Sequence, residues 1–390
     1  MAIVLLILGL VLFVGLVVVH EWGHFIAARR NGVEVEEFGI FFPPRLFKKK
    51  LKSGMDFTIN ALPLGGFVKL KGEHDNDTEP GTFGAASLSA KVKIMVAGVT
   101  MNLLTAIAVF TVLALIGMPK LIDNQFTVKK DTQLVSSQVM AAYVEPGSPA
   151  AKAGLQPLDQ ITGIQQPGYS PVGISSAEDL PKVTKNFAGK KVYVFYERDG
   201  EQKKGETQLL SKAQVEASKK TDNPKGYLGV APTEFTMQRN TWSAPIVALG
   251  FTAQVTALTF QGLGHAIAGL GSIIAGTATF NSEARQNGQT AASEQVSGPV
   301  GIFVILKDGS LLGYQFVLLI IGIISLTLAI MNILPIPALD GGRLWLILFY
   351  RKVLKKPLDP KREETINAIG FMVLIGLIIL ITIVDVRRFF

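Results

Sequence analysis

Cysteine is absent from the 390-residue chain, which excludes disulfides and thiolate metal sites. Any zinc must be held by His, Asp or Glu, and only four histidines are present. Nucleophilic chemistry falls to Ser, Thr or a metal-activated water. Charge is scarce as well: Asp, Glu, Lys and Arg make up 17% of the residues, against roughly 25% in ordinary soluble domains. The deficit is concentrated in blocks, so the chain alternates between membrane and aqueous parts. The net charge of +8 invites a nucleic-acid reading, but the basic residues flank the apolar runs, where they act as orientation signals.

Ala2 to Val19 carries no charged or hydrogen-bonding side chain and is long enough, as a helix, to cross most of a bilayer core. No basic region precedes it, and it continues into His20 without a small-x-small cleavage pattern, so it reads as a retained span and not a signal peptide. Further spans are expected at Ile94 to Met118, Leu311 to Ile333 and Ile366 to Val384. Arg29, Arg30, Arg45, Lys48, Lys49, Lys50 and Lys52 follow the first span. Arg343, Arg351, Lys352, Lys355, Lys356, Lys361 and Arg362 lie between the third and fourth. Both loops are expected in the cytoplasm. Arg387 and Arg388 run against this rule, although Arg side chains can snorkel. Pro245 to Phe280 also lacks charge, but Gln254, Gln261, His265 and Ser272 recur opposite Phe251, Val255, Leu258, Ile267 and Ile274. Amphipathic helices on the membrane surface or along a cavity are expected there, not a fifth span.

His20-Glu21-Trp22-Gly23-His24 is H-E-x-x-H on a helix, which sets two imidazoles one turn apart on one face, the spacing that chelates zinc. Glu21 beside them is the candidate general base. Ionisable groups at the end of a membrane helix are costly, which favours a functional reading over chance. A hydrolytic zinc needs a third protein ligand. His74 sits in the acidic loop Glu73-His74-Asp75-Asn76-Asp77, which reads as solvated, and His265 in the Gly-rich stretch. Asp340 is the better choice, because prolines break the chain after Asn332 and glycines free it at Gly341 and Gly342. Topology agrees: the two histidines end the first span and Asp340 follows the third, so one span alone can lie between them.

Here the chain resembles the site-2 proteases, intramembrane zinc metalloproteases, and in particular the bacterial regulator-of-sigma-E protease group. The metal motif corresponds to His20, Glu21 and His24, and the family's L-D-G to Leu339, Asp340 and Gly341. A membrane-associated β-hairpin, at about residues 56–71, corresponds to the stretch with Gly65, Gly66, Phe67 and Val68. G-x-x-x-N matches Gly98 and Asn102, and S-G-P-x-G matches Ser297 to Gly301. Asn102 itself reads as a link between helices.

Between about Leu134 and Pro232 the pattern changes to strands and turns. Val139 to Val144 and Lys191 to Tyr196 read as strands, and Gly147-Ser148-Pro149 opens a short helix ending near Gly154. The segment resembles a bacterial PDZ domain, with Leu228, Gly229 and Val230 as an exposed peptide-binding loop, though Leu158 replaces the usual glycine before Asp159. Such a domain either binds a peptide terminus or filters substrates by size.

The expected fold is thus a polytopic α-helical membrane protein with four transmembrane helices, the β-hairpin and an extracytoplasmic PDZ (α+β) domain. Residues 1–118 hold the first two spans, 119–240 the PDZ-like domain, 241–310 the amphipathic segment and 311–390 the last two spans. The expected activity is zinc-dependent cleavage, with one Zn2+ per chain, of single-span proteins in the bacterial cytoplasmic membrane. By resemblance the substrates are anti-sigma factors or signal-peptide remnants. The β-strand at Gly65, Gly66 and Phe67, with Asn332, Pro335 and Pro337, is expected to hold unwound substrate. The rival readings are a PDZ-bearing adaptor with structural zinc, which needs no Glu21, and a metal transporter, which needs more buried carboxylates.

Overall fold

The computed structural model describes residues 2–389 apart from 199, 222–223, 280, 284–285 and 288–297. Phe280 and Ser297 lie outside the described residues. Five described helices are long and apolar enough to cross a membrane. They are α1 (Ala2–Arg30), α2 (Leu88–Ile116), α6 (Ala244–Ala278), α8 (Tyr314–Ile333) and α10 (Pro360–Phe389). That is one more than the four expected, and the addition is α6. In place of several amphipathic helices, α6 is one continuous helix of 35 residues. Its glycines do not break it: each costs only about 1 kcal/mol relative to alanine, and within the helix no proline follows Pro245.

The chain forms two compact units, one mainly of residues 112–247 and the other of residues 4–111, 248–309 and 317–390. The first is built on a sheet with strand order β3 (Met118–Pro119), β9 (Val230–Arg239), β4 (Gln133–Val144), β5 (Gln160–Gln165), β7 (Lys191–Arg198) and β8 (Glu201–Gln208). The two expected strands are present in β4 and β7, each longer than the sequence pattern indicated. Alternation sends Val192, Val194 and Tyr196 inward against Val139, Ile161 and Leu180. The short helix α3 (Pro149–Lys152) is capped by Ser148, whose hydroxyl accepts from the Ala151 amide, and the chain leaves it at Gly154 with φ 83°. Leu158 takes φ 72°, a conformation glycine adopts without strain. Next to it, Asp159 receives the Arg198 guanidinium at 2.7 Å, which holds the turn.

The loop at Leu228, Gly229 and Val230 is not exposed as expected. Leu228 and Gly229 are buried, and their carbonyl oxygens accept from the Ala150 and Glu145 amides. A side chain at Gly229 would lie 2.3 Å from Ser148 Cβ, so the loop is packed onto the start of α3. Asp131 in the same unit accepts from the amides and hydroxyls of Thr241 and Ser243, just before α6. Burial would raise its pKa, but these four donors hold the carboxyl well below the usual range.

In the second unit, β1 (Val35–Lys50) and β2 (Asp56–Leu70) form the hairpin. Residues 56–71 supply only its second strand. Prolines and a run of lysines hide the alternation of the first. Residues 37–40 pair with 66–69 on one side and with 56–59 on the other, so the stretch from Leu62 to Leu70 forms an outer edge. The loop after β2 is less solvated than its composition suggests. Asp75 is fully buried and receives Lys91, Arg351 at 2.8 Å and the Leu358 amide at 2.9 Å. Replacing Asp75 by Ala strands the buried Lys91 ammonium and is expected to destabilise the protein by about 3–5 kcal/mol. Denaturant titrations of both forms in one detergent measure this, and a loss below about 1 kcal/mol would contradict it.

Candidate active site

Helical spacing in α1 turns His20 and His24 to one side, with their ring centroids 4.8 Å apart. Asp340 opens α9 (Asp340–Leu348) after an irregular stretch. Ile333 ends α8, Pro335 and Pro337 prevent the helix from continuing, and Ala338 adopts φ 73°. The Trp345 indole donates to the freed Ile333 carbonyl. This stretch folds tightly over the first turn of α9: a Cβ at Gly341 would lie 2.2 Å from Leu334 O, and one at Gly342 2.1 Å from Ile336 O. No larger residue fits either place, and so the two glycines set the position of Asp340.

The three side chains meet. Asp340 Oδ2 is 2.9 Å from His20 Nε2 and 3.1 Å from His24 Nε2, and the two Nε2 atoms are 3.2 Å apart. Donors at about 2.0–2.2 Å from a tetrahedral zinc are separated by about 3.3–3.5 Å, so small outward shifts bring this set onto one ion. His20, His24 and Asp340 are the one such cluster among the described residues.

Surrounding groups fit the same role. His24 Nδ1 donates to the Ile94 carbonyl at 2.8 Å, which leaves the Nε2 lone pair free. The Asn102 amide lies 3.3 Å from His20 Nδ1, while its side-chain oxygen is buried without a partner. A His20 that ligates through Nε2 carries its proton on Nδ1. Turning the amide over gives that proton the orphaned oxygen as acceptor. Asn102 is therefore placed for more than the interhelical link expected of it: its backbone carbonyl accepts from Ser325 of α8, and its side chain lies against the His20 ring. Gly98 lets α2 approach, since a Cβ there would lie 2.4 Å from His24 Nε2. Apart from their place in G-x-x-x-N, nothing in the sequence marked Gly98 or Asn102 as parts of the site.

Glu21 lies beside the cluster, in a cavity of about 220 Å³ also lined by His24, Asp340, Phe67, Met95 and Arg343. The Val68 backbone amide faces its carboxylate. Gly66 and Phe67 border the cavity as well, whereas Gly65 does not and packs against the Phe42 ring. Asn332, Pro335 and Pro337 do not line the cavity. Asn332 is part-buried and has no side-chain hydrogen bond among the described residues, Pro335 is exposed, and Pro337 lies against Gly370 of α10. His74 lies near Glu363 and Glu364, away from the cluster.

The sequence matches the family model described as Peptidase family M50 over residues 8–377. A Clostridium acetobutylicum protein whose name contains the words zinc metalloprotease is 30% identical over 382 residues, covering 98% of this chain and 97% of its own. Zinc metalloprotease RasP of Shouchella clausii is 27% identical over 446 residues, covering 97% and 98%. Probable protease eep of Enterococcus faecalis is 24% identical over 474 residues, covering 98% of each chain.

Proposed function

The chain belongs to peptidase family M50, and from this we propose that it is an intramembrane zinc metalloendopeptidase that cuts the membrane segments of single-span proteins. The observation that carries the reading is the convergence of His20, His24 and Asp340 beside Glu21. Those three residues would hold the ion, which when bound polarises a carbonyl oxygen and makes water acidic enough to lose a proton near neutral pH. Glu21 takes that proton and returns it to the departing amide nitrogen. Its carboxylate is steadied by the Val68 amide, so it stays aimed at the cavity.

A helical peptide bond has its carbonyl engaged, and opening the helix in hydrocarbon leaves backbone groups unpaired at several kcal/mol each. The outer edge of β2 at Gly66 to Val68 supports a solution, because an extended substrate can add to it as a further strand next to Glu21. Asn332 offers an unengaged amide a short way before Asp340. On this reading, the family resemblance makes anti-sigma factors or signal-peptide remnants the substrates.

We place α1, α2, α8 and α10 across the bacterial cytoplasmic membrane, with the basic loops inside and the PDZ-like residues 119–240 outside. Chain direction supports leaving α6 out of the crossing set, since a crossing there would carry Asp340 away from the imidazoles. The position of Glu21 also tells against an adaptor, whose structural zinc requires no base.

The test uses the full chain in liposomes with a tagged single-span substrate. Chelation of metal is expected to stop cleavage and added zinc to restore it, with the cut mapped inside the apolar segment. Undiminished cleavage after metal removal, or a cut outside the apolar segment, would overturn the reading.

A further inference from the structure

A second hollow, of about 520 Å³, lies between α1 and α2 and shares no lining residue with the catalytic cavity. Its walls are apolar: Ile26, Ala27, Val92, Val96, Ala97 and Met101. Its polar groups are already satisfied by their own helices. The Thr100 hydroxyl donates to Val96 O at 2.9 Å and the Asn31 amide to Ala27 O at 2.7 Å. One end differs. Arg30, the last residue of α1, and Lys93, in the second turn of α2, both line the hollow, are exposed, and have no ion-pair partner among the described residues.

Lys93 and Thr100 are seven residues apart on one helix, so the slot runs about 10 Å along the helix axis from its charged end to its apolar end. Two unpaired cations at the end of an apolar slot, between helices that a bilayer surrounds, match the chemistry of a phosphate headgroup joined to an acyl chain. A soluble anion leaves the apolar wall uncovered, and a neutral helix leaves the cations unpaired. We infer that this groove binds one anionic phospholipid, its phosphate on Arg30 and Lys93 and an acyl chain along Val96, Ala97 and Met101. The inference rests on the membrane placement of α1 and α2 and not on proteolysis. It also has a consequence for the metal site. Gly23 and Ala97 of the wall are sequence neighbours of His24 and Gly98, so a bound lipid braces the helix pair that carries the imidazoles.

Native mass spectrometry of the full chain in detergent, titrated with phosphatidylglycerol, phosphatidylcholine or inorganic phosphate, tests this. The wild type is expected to retain one phosphatidylglycerol with a preference of about 30-fold over phosphatidylcholine, as two cations near a headgroup supply. The Arg30→Gln/Lys93→Gln double variant should bind the two lipids equally. Thr100→Trp, which fills the apolar half and leaves both cations, should weaken both. All three positions lie at the groove and are exposed or end a helix, so folding is not at stake. Equal affinity in the wild type, an unchanged preference in the double variant, undisturbed binding in Thr100→Trp, or displacement of the lipid by phosphate alone would each overturn the inference. Because the readout is bound lipid, a protein that fails to cleave any substrate can still pass, and the two readings fail separately.

Discussion

Glu21→Gln is expected to lower the cleavage rate by about 10²–10⁴-fold, the usual contribution of a positioned acid–base group, with zinc content unchanged. The substitution keeps the shape of the side chain and an oxygen to receive the Val68 amide, so the cavity and its edge strand are left as they are. Only the capacity to take up and release a proton is lost. His20, His24 and Asp340 are untouched, and their separations of 2.9–3.2 Å do not depend on Glu21. Parallel measurements of turnover on a single-span substrate and of metal by mass spectrometry decide the matter. Equal cleavage by both forms removes Glu21 from the chemistry. Loss of zinc together with activity would make Glu21 a structural support of the site and not its base.

This residue was legible in the sequence because its whole context is local: five consecutive positions on one helix fix how His20, Glu21 and His24 face one another. Asp340 was readable by a weaker route. No local period connects it to residues more than three hundred positions earlier, and what pointed to it was the break at Pro335 and Pro337 together with the direction of the spans. The groups around the His20, His24 and Asp340 cluster are hidden for a different reason. The Ile94 carbonyl and the Val68 amide are backbone atoms, which carry no residue signature, and Asn102 has the same composition whether it joins helices or orients a histidine.

Two misreadings have separate physical causes. Residues 245–280 read as amphipathic helices, in the plural, yet α6 runs unbroken for 35 residues, because its glycines are only weakly unfavourable in a helix and no proline interrupts it after the first turn. The loop at Leu228 and Gly229 was expected open, yet tertiary packing against Ser148 buries it. In the second case the surroundings of a segment, which local composition does not report, decided its state.

Gly98→Ala should show the same dependence on surroundings inside the metal site. In an exposed helix this change stabilises by about 1 kcal/mol, because alanine loses less backbone freedom on folding. Here the added methyl would lie 2.4 Å from His24 Nε2 and 2.7 Å from His20 Nε2, the two atoms that face Asp340. Retreat of α2 is blocked, since the same helix accepts His24 at the Ile94 carbonyl and is tied to α8 by the bond from Ser325 to Asn102. Opposite, Gly23 already brings α1 against Ala97, with 2.6 Å from a Cβ there to the Ala97 carbonyl. The imidazoles must move instead, away from their shared carboxylate oxygen. Since disturbing groups that only orient ligands costs 10–100-fold in metal affinity, displacing the donor atoms is expected to cost at least about 100-fold, with cleavage falling in step. Competition against a zinc chelator measures the affinity and thermal unfolding the stability. The expected pairing, a fold no less stable and a site that holds zinc poorly, separates steric exclusion from misfolding. Gly264→Ala on α6, where a Cβ meets nothing within 4 Å, is the matched control and should leave zinc affinity unchanged while raising stability by about 1 kcal/mol. Full zinc affinity in Gly98→Ala would mean that the imidazoles have room to spare, and that the close approach of α2 is not what holds them on Asp340.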